Sequence, residues 1–386
     1  MNALPLLPQP GLIFTLVSFI VMIAVLVVVH EGGHYLAGRM FKTRIEAFAV
    51  GFGPELFGRT DARGVRWRIN AIPLGGYVKF VGDMNEASQI DPALLALPEP
   101  ERRGLFAFLP LWQRAIIVAA GPVINFLFAI AVLAGFNLAY GHNISPPVAE
   151  HVLPGSAAAA AGMRSGDRIL SVDGRSVERF EDIVNHVVVG TGEPVLLEID
   201  RAGMVQRITL KPRMVEMVDR FGNVSRTPLL GLQRSGEVAQ AVGVGEALRW
   251  AIVDTIGITE SMGRAIGQVI TGRRALAEMG GPVKSAQIAG QQASMGLASA
   301  VMFLAFFSIN IGFINLLPIP MLDGGHLLLY GIEAVRRRPL ADAVQQWAFM
   351  SGFAALMSLM VVLTWHDMAS ISGSKGLLSR LSGLLG

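Results

Sequence analysis

LIFTLVSFIVMIAVLVVVHEGGH, residues Leu12 to His34, carries no charge from Leu12 to Val29 and then ends on His30-Glu31-Gly32-Gly33-His34. An apolar run of this length reads as a helix able to cross a bilayer core. If the helix continues through the H-E-x-x-H motif, His30 and His34 fall four residues apart on one face, where both imidazoles can grip one metal ion with Glu31 beside it. The chain holds only seven His, which makes a chance match rare. Two imidazoles and a carboxylate are costly to keep at the edge of an apolar span, and such groups are functional candidates by default. The pattern is the half-site of a zinc hydrolase.

The rest of the composition agrees with a membrane chain. Of 386 residues, 52% are hydrophobic and 16% charged, too few polar groups for an ordinary soluble surface. Uncharged stretches of spanning length are Leu12 to Val29, Ala115 to Tyr140, Leu297 to Leu322 and Trp347 to Trp365, so four spans are predicted. Met1 to Gly11 carries no Lys or Arg and no small-residue cleavage site follows, so the first span reads as retained rather than as a signal peptide. The net charge of +3 does not point to nucleic acid, because the basic residues flank the spans. Arg39, Lys42 and Arg44 follow the first, Arg102, Arg103 and Arg114 precede the second, and Arg336 to Arg338 separate the third from the fourth. These flanks are expected to be cytoplasmic, with both termini and the segment between the second and third spans outside. The absence of Cys excludes a disulfide framework and Cys-ligated metal.

Between the first two spans, Ile45 to Val81 mixes apolar residues with Gly51-Phe52-Gly53-Pro54 and Gly75-Gly76, which predicts short strands joined by tight turns. Backbone of that kind survives at membrane depth only against protein or a wet cavity. Asp83 to Glu101 reads as a surface linker. The second span is interrupted by Gly121-Pro122-Val123-Ile124-Asn125, where Gly and Pro permit a kink or close packing and Asn125 offers a buried polar side chain. From Val148 to Met214 charges, short β-branched runs and turns indicate a soluble domain. Met217 to Gly243 continues as strand and loop. Glu246 to Gly272 is helical in period but too charged to span, and reads as an amphipathic helix on the membrane surface or against the soluble domain.

The third span ends Asn315-Leu316-Leu317-Pro318-Ile319-Pro320-Met321-Leu322-Asp323-Gly324-Gly325-His326. Two prolines break the helix and free backbone groups. A catalytic zinc takes three protein ligands and leaves one position for water, so His30 and His34 lack a partner. Asp323, directly after the break, is the best candidate, and His326 competes with it. The inferred topology brings both half-sites to one leaflet. Asn315 is suited to bonding a substrate backbone or a developing oxyanion, or to capping and packing. His142, His151 and His186 receive no chemistry, and His366 with Asp367 reads as an interfacial pair.

H-E-x-x-H on a first span, G-x-G after it, a G-x-x-x-N span, and N-x-x-P-x-P-x-x-D-G together resemble the site-2 protease family of intramembrane zinc metalloproteases, in the branch of the bacterial regulator of sigma-E protease. Pro154-Gly155-Ser156, Gly166-Asp167-Arg168 and Val172-Asp173-Gly174 resemble a PDZ domain of the bacterial protease type. The resemblance implies an α-helical membrane protein with four transmembrane helices, a membrane-associated β-hairpin region and one periplasmic PDZ-like α/β domain. Some members of that branch carry two PDZ domains; this sequence shows one. The segments read as 1–44 first span with H-E-x-x-H, 45–112 hairpin region and linker, 113–141 second span, 145–215 PDZ-like domain, 216–294 strand and amphipathic helix, 295–330 third span and 331–386 fourth span with tail. The resemblance further implies that His30, His34 and Asp323 ligate Zn2+, that Glu31 is the general base, and that Gly51, Phe52, Gly53 and Asn315 hold an extended substrate. The expected setting is the bacterial inner membrane, and the expected substrates are single-span membrane proteins such as anti-sigma factors, already cut on their outer side. Partners are then the bilayer and a substrate segment at the PDZ-like domain. The rival readings are a zinc-binding membrane transporter and a non-enzymatic PDZ scaffold.

Overall fold

The structure, a computed structural model, describes residues 10–82, 96–143, 145–190, 192–218, 224–233, 239–273, 275–276 and 280–373. Most of the linker expected from Asp83 to Glu101 lies outside them. Among the described residues helices dominate, and four are long and apolar enough to cross a membrane. The chain divides into two compact units, one of residues 1–133 and 282–362, the other of residues 134–281 and 363–386.

In the first unit α1 spans Leu12–Met40. It runs past the H-E-x-x-H motif instead of ending on it, so both His belong to a continuous helix. A four-residue helix at Glu99–Arg102 and a short turn of 3-10 helix at Phe106–Phe108 precede α2, Leu111–Tyr140, which keeps Pro122 inside it. Pro122 has no N–H for the Val118 carbonyl, the usual reason for a local opening of a helix. The third apolar stretch is divided. Helix α6, Leu297–Asn315, stops before the two prolines, and α7, Asp323–Arg336, starts at the acidic residue. Helix α8 spans Asp342–Gly373, and α5, the short Pro282–Ser294 helix, packs on α1 where Gly290 meets Thr15.

The strands between α1 and α2 are longer than the short pieces expected. β1, Ile45–Thr60, and β2, Arg66–Phe80, each fold in two. Residues 47–50 lie between 66–69 and 76–79, while 57–60 pair with 66–69 on the far side. The result is a small sheet of four segments made from one hairpin. The bend in β1 is Gly51-Phe52-Gly53, where both glycines have φ near +85° (86° and 85°), a conformation that side chains with a Cβ rarely adopt. Asn70 Nδ2 donates to the Gly51 carbonyl at 2.9 Å and fixes the bend.

The second unit holds an antiparallel sheet of β3 (Val148–Ala149), β4 (Asp167–Val172), β5 (Val195–Arg201) and β6 (Met204–Leu210) in that order, with Arg175–Ser176 added to β4. Alternation along β4 and β5 sends Ile169, Leu197 and Ile199 into a core closed by Phe180, Ile183 and Val187 of α3, Phe180–Val189. A second hairpin, β7 (Arg213–Val218) with β8 (Val224–Leu229), follows. Helix α4, Val244–Ile270, comes next. Asp367, read from the sequence as interfacial, is buried and accepts the Gly281 N–H at 3.0 Å.

Candidate metal centre

Helix periodicity places His30 and His34 on one face of α1, and both rings point at α2. Their Nε2 atoms are 3.3 Å apart. Asp323, the first residue of α7, reaches the same place from the far end of the sequence. Its Oδ2 is 3.1 Å from His30 Nε2 and 3.5 Å from His34 Nε2. Among the described residues these three form the group able to hold a metal ion, with donor atoms within 4.8 Å of one another. Ligands around a tetrahedral zinc at about 2.0–2.2 Å stand about 3.3–3.6 Å from each other, so the three donors fit that ion. Asp323 Oδ2 is buried without a well-formed hydrogen bond, as a ligand oxygen would be. His326, the competing candidate, is not in the group. Its ring packs on Phe349 at 4.7 Å and tilts toward Tyr330, although it lines the same cavity.

That cavity, of ≈ 770 Å³, is walled by α1, the sheet and the α6–α7 break. Glu31 lines it beside the two His, and the Val78 backbone hydrogen-bonds the carboxylate. The outermost strand segment approaches α1 closely because Gly76 lacks a side chain: a Cβ there would stand 2.5 Å from Val27 Cγ1 and 3.4 Å from Glu31 Cγ. Of the sequence-predicted hairpin residues, Phe52 lines the cavity, lying over Gly75, whereas Gly51 and Gly53 form the bend and are not in the wall. The wall is instead Gly75 to Phe80, a stretch whose glycines were visible in the sequence but whose pairing was not. Asn315, the last residue of α6, places Nδ2 3.5 Å from His30 Nε2.

Helix α2 supplies what the two motifs lack. Gly121 faces both rings, and a Cβ on it would lie 2.3 Å from His34 Nε2 and 2.9 Å from His30 Cε1. One turn to either side, the Ile117 carbonyl accepts from His34 Nδ1 at 2.9 Å, and Asn125 lies 3.1 Å from His30 Nδ1. Residues 117, 121 and 125 are spaced by one helical turn and form the floor of the site.

Two His and a Glu on an apolar helix of membrane length, met by the Asp323 carboxylate at the start of α7, define a metallohydrolase. The chain belongs to peptidase family M50, the site-2 proteases, whose model matches residues 18–359, and is a metalloprotease. A protein of Agrobacterium fabrum bearing a zinc metalloprotease name is 42% identical over 93% of this chain and 96% of its own length. A similarly named protein of Rhizobium meliloti is also 42% identical, over 93% of this chain and 98% of its own. Metalloprotease MmpA of Caulobacter vibrioides is 35% identical over 93% and 96%. Among solved structures, a PDZ domain of an SdrC-like protein from Listeria monocytogenes matches 24% of this chain and 90% of its own at 18% identity, with a TM-score of 0.19.

Proposed function

We propose that this metalloprotease hydrolyses peptide bonds in or beside transmembrane segments of other membrane proteins, with His30, His34 and Asp323 holding zinc. The observation that carries the reading is the meeting of the two distant motifs, three donors at zinc-ligand spacing next to Glu31. Zinc held there supplies Lewis acidity and an activated water. Glu31 takes the proton from the attacking water and returns it to the leaving amine. Asn315 faces the position of the scissile carbonyl and donates to it. A substrate helix must unwind before its bonds are exposed, and the segment Gly75 to Phe80, with Phe52, offers an extended strand against which it can lie.

In this reading the substrate is a single-span protein of the anti-sigma-factor type, trimmed first on its outer side. The compact unit around β3–β6 and α3 acts as a PDZ-like filter. The sites of Arg and Lys support an inner-membrane chain with both termini outside. Helix α4 exposes Val244, Leu248, Ile252 and Ile256 along one face, as a helix resting on a lipid surface would.

The test is Glu31→Gln in detergent-purified protein with a single-span substrate. Zinc content should stay near one per chain while cleavage falls by roughly 10²–10⁴-fold, the range for a lost general base. Undiminished cleavage would sink the assignment of Glu31 as the general base.

A further inference from the structure

We infer that Asn125 is a positioning residue for His30, holding that imidazole in the form whose Nε2 can bind a metal. The inference rests on the reading of His30, His34 and Asp323 as a metal site and assigns the site a residue from a third element. A neutral imidazole has one protonated and one bare nitrogen, and only the bare one can be a ligand. The Nε2 atoms of both His point at Asp323, so the proton of each ring belongs on Nδ1, and each Nδ1–H needs an acceptor.

For His34 the acceptor is the backbone carbonyl of Ile117, 2.9 Å away. For His30 the group in the corresponding position is the Asn125 amide, whose Nδ2 stands 3.1 Å from Nδ1. Asn125 is 0% exposed, and its Oδ1 is buried without a partner. A half-turn of the amide about Cβ–Cγ, in the same space, places that oxygen opposite His30 Nδ1–H. One rotation thus satisfies the orphaned acceptor and bares Nε2.

The surroundings hold the amide in place. The Asn125 backbone carbonyl accepts from Ser308 Oγ of α6 at 2.9 Å. Gly312 of α6 stands so close that a Cβ there would lie 3.1 Å from the Pro122 carbonyl and 3.3 Å from Asn125 Cβ. Gly121 leaves room for the rings and Asn125 orients one of them, which gives both ends of the G-x-x-x-N stretch a task at the metal.

The test compares full-length protein carrying Asn125→Leu, which keeps the volume and removes the acceptor, with Asn125→Asp, which keeps an acceptor. Retained zinc is measured against a graded chelator, and the tautomer of His30 is read from ¹⁵N shifts of labelled histidine in the unsubstituted protein. Asn125→Leu should weaken zinc retention by about 10–100-fold, the usual cost of losing a partner of a ligating His, while Asn125→Asp stays within a few-fold of the unsubstituted chain. The ¹⁵N shifts should show His30 protonated at Nδ1, a readout that holds even if a variant fails to fold. Equal retention by Asn125→Leu, equally poor retention by both variants, or a proton on His30 Nε2 would overturn the inference. Zinc that binds normally and is lost with Asp323→Asn would leave the underlying site standing in that event, whereas no zinc in the unsubstituted chain overturns both.

Discussion

At the residue scale the site depends on one missing side chain. With a Cβ, residue 121 would meet His34 Nε2 at 2.3 Å and His30 Cε1 at 2.9 Å, and the backbone of α2 cannot retreat because α6 packs behind it at Gly312. Gly121→Ala should therefore displace the rings, lowering zinc retention by an order of magnitude or more on the scale of about 10–100-fold for disturbed ligand geometry. Helicity by circular dichroism should hardly change, since Ala favours a helix over Gly by about 1 kcal/mol. Full zinc content and full cleavage in Gly121→Ala would refute the geometry. The sequence shows His30, Glu31, His34 and Asp323 because their signals are local: a four-residue spacing, a charge in an apolar run and a pair of prolines. It shows Gly121 and Asn125 only as an irregularity in a span. Their meaning lies in which face of α2 meets α1, a packing fact that no spacing within α2 records.

At the element scale the second unit is clasped by a buried cation. Arg179, at the N-terminus of α3, donates to Asp254 of α4 at 2.7 Å and to Asp182 at 3.0 Å, and lies over the Trp250 ring at 5.0 Å. His142 stacks on the same indole, its ring 4.8 Å from Trp250, and bonds Asn137 at 3.1 Å. Burial holds the His142 imidazole below its ordinary value, Asp254 and Glu181 oppose that, and Arg179 adds to it. The unfolded chain then binds the proton more tightly than the folded one. Stability from this cluster is full above about pH 6.5 and is lost as pH falls through the lower folded value. Trp fluorescence of the Trp250 environment should report loosening below pH 6.5, and His142→Asn, which cannot charge, should flatten that limb. An unchanged acid limb in His142→Asn would exclude this residue as its source. Nothing in the sequence marks His142, a single His whose partners come from three separated elements. The sequence shows the hairpin only as short strands for a similar reason: alternation reveals extended chain, but the doubling of β1 and β2 arises from pairing across 47–50, 66–69 and 76–79.

At the scale of the whole molecule, the charge pattern predicts an arrangement across a membrane that can be tested without disturbing the site. Arg338 lies just after α7, and Arg168 lies on β4 in the second unit; both are exposed. The excess of Arg and Lys beside the spans predicts that Arg338 faces the cytoplasm, whereas Arg168 lies on the opposite side. Because the natural chain contains no Cys, Arg338→Cys and Arg168→Cys each introduce a single thiol on a silent background. A maleimide that cannot cross the inner membrane should label Arg168→Cys in cells with a permeabilised outer envelope and leave Arg338→Cys untouched until the membrane is dissolved. The reverse pattern would invert the topology and place the Asp323 end of α7 at the outer leaflet, so that a substrate cut first on its outer side would no longer meet the cavity from the expected direction. Labelling of both before the membrane is dissolved would mean that α6, the candidate span between the two positions, does not cross, and the shared depth of α1 and α7 would then have to come from packing alone.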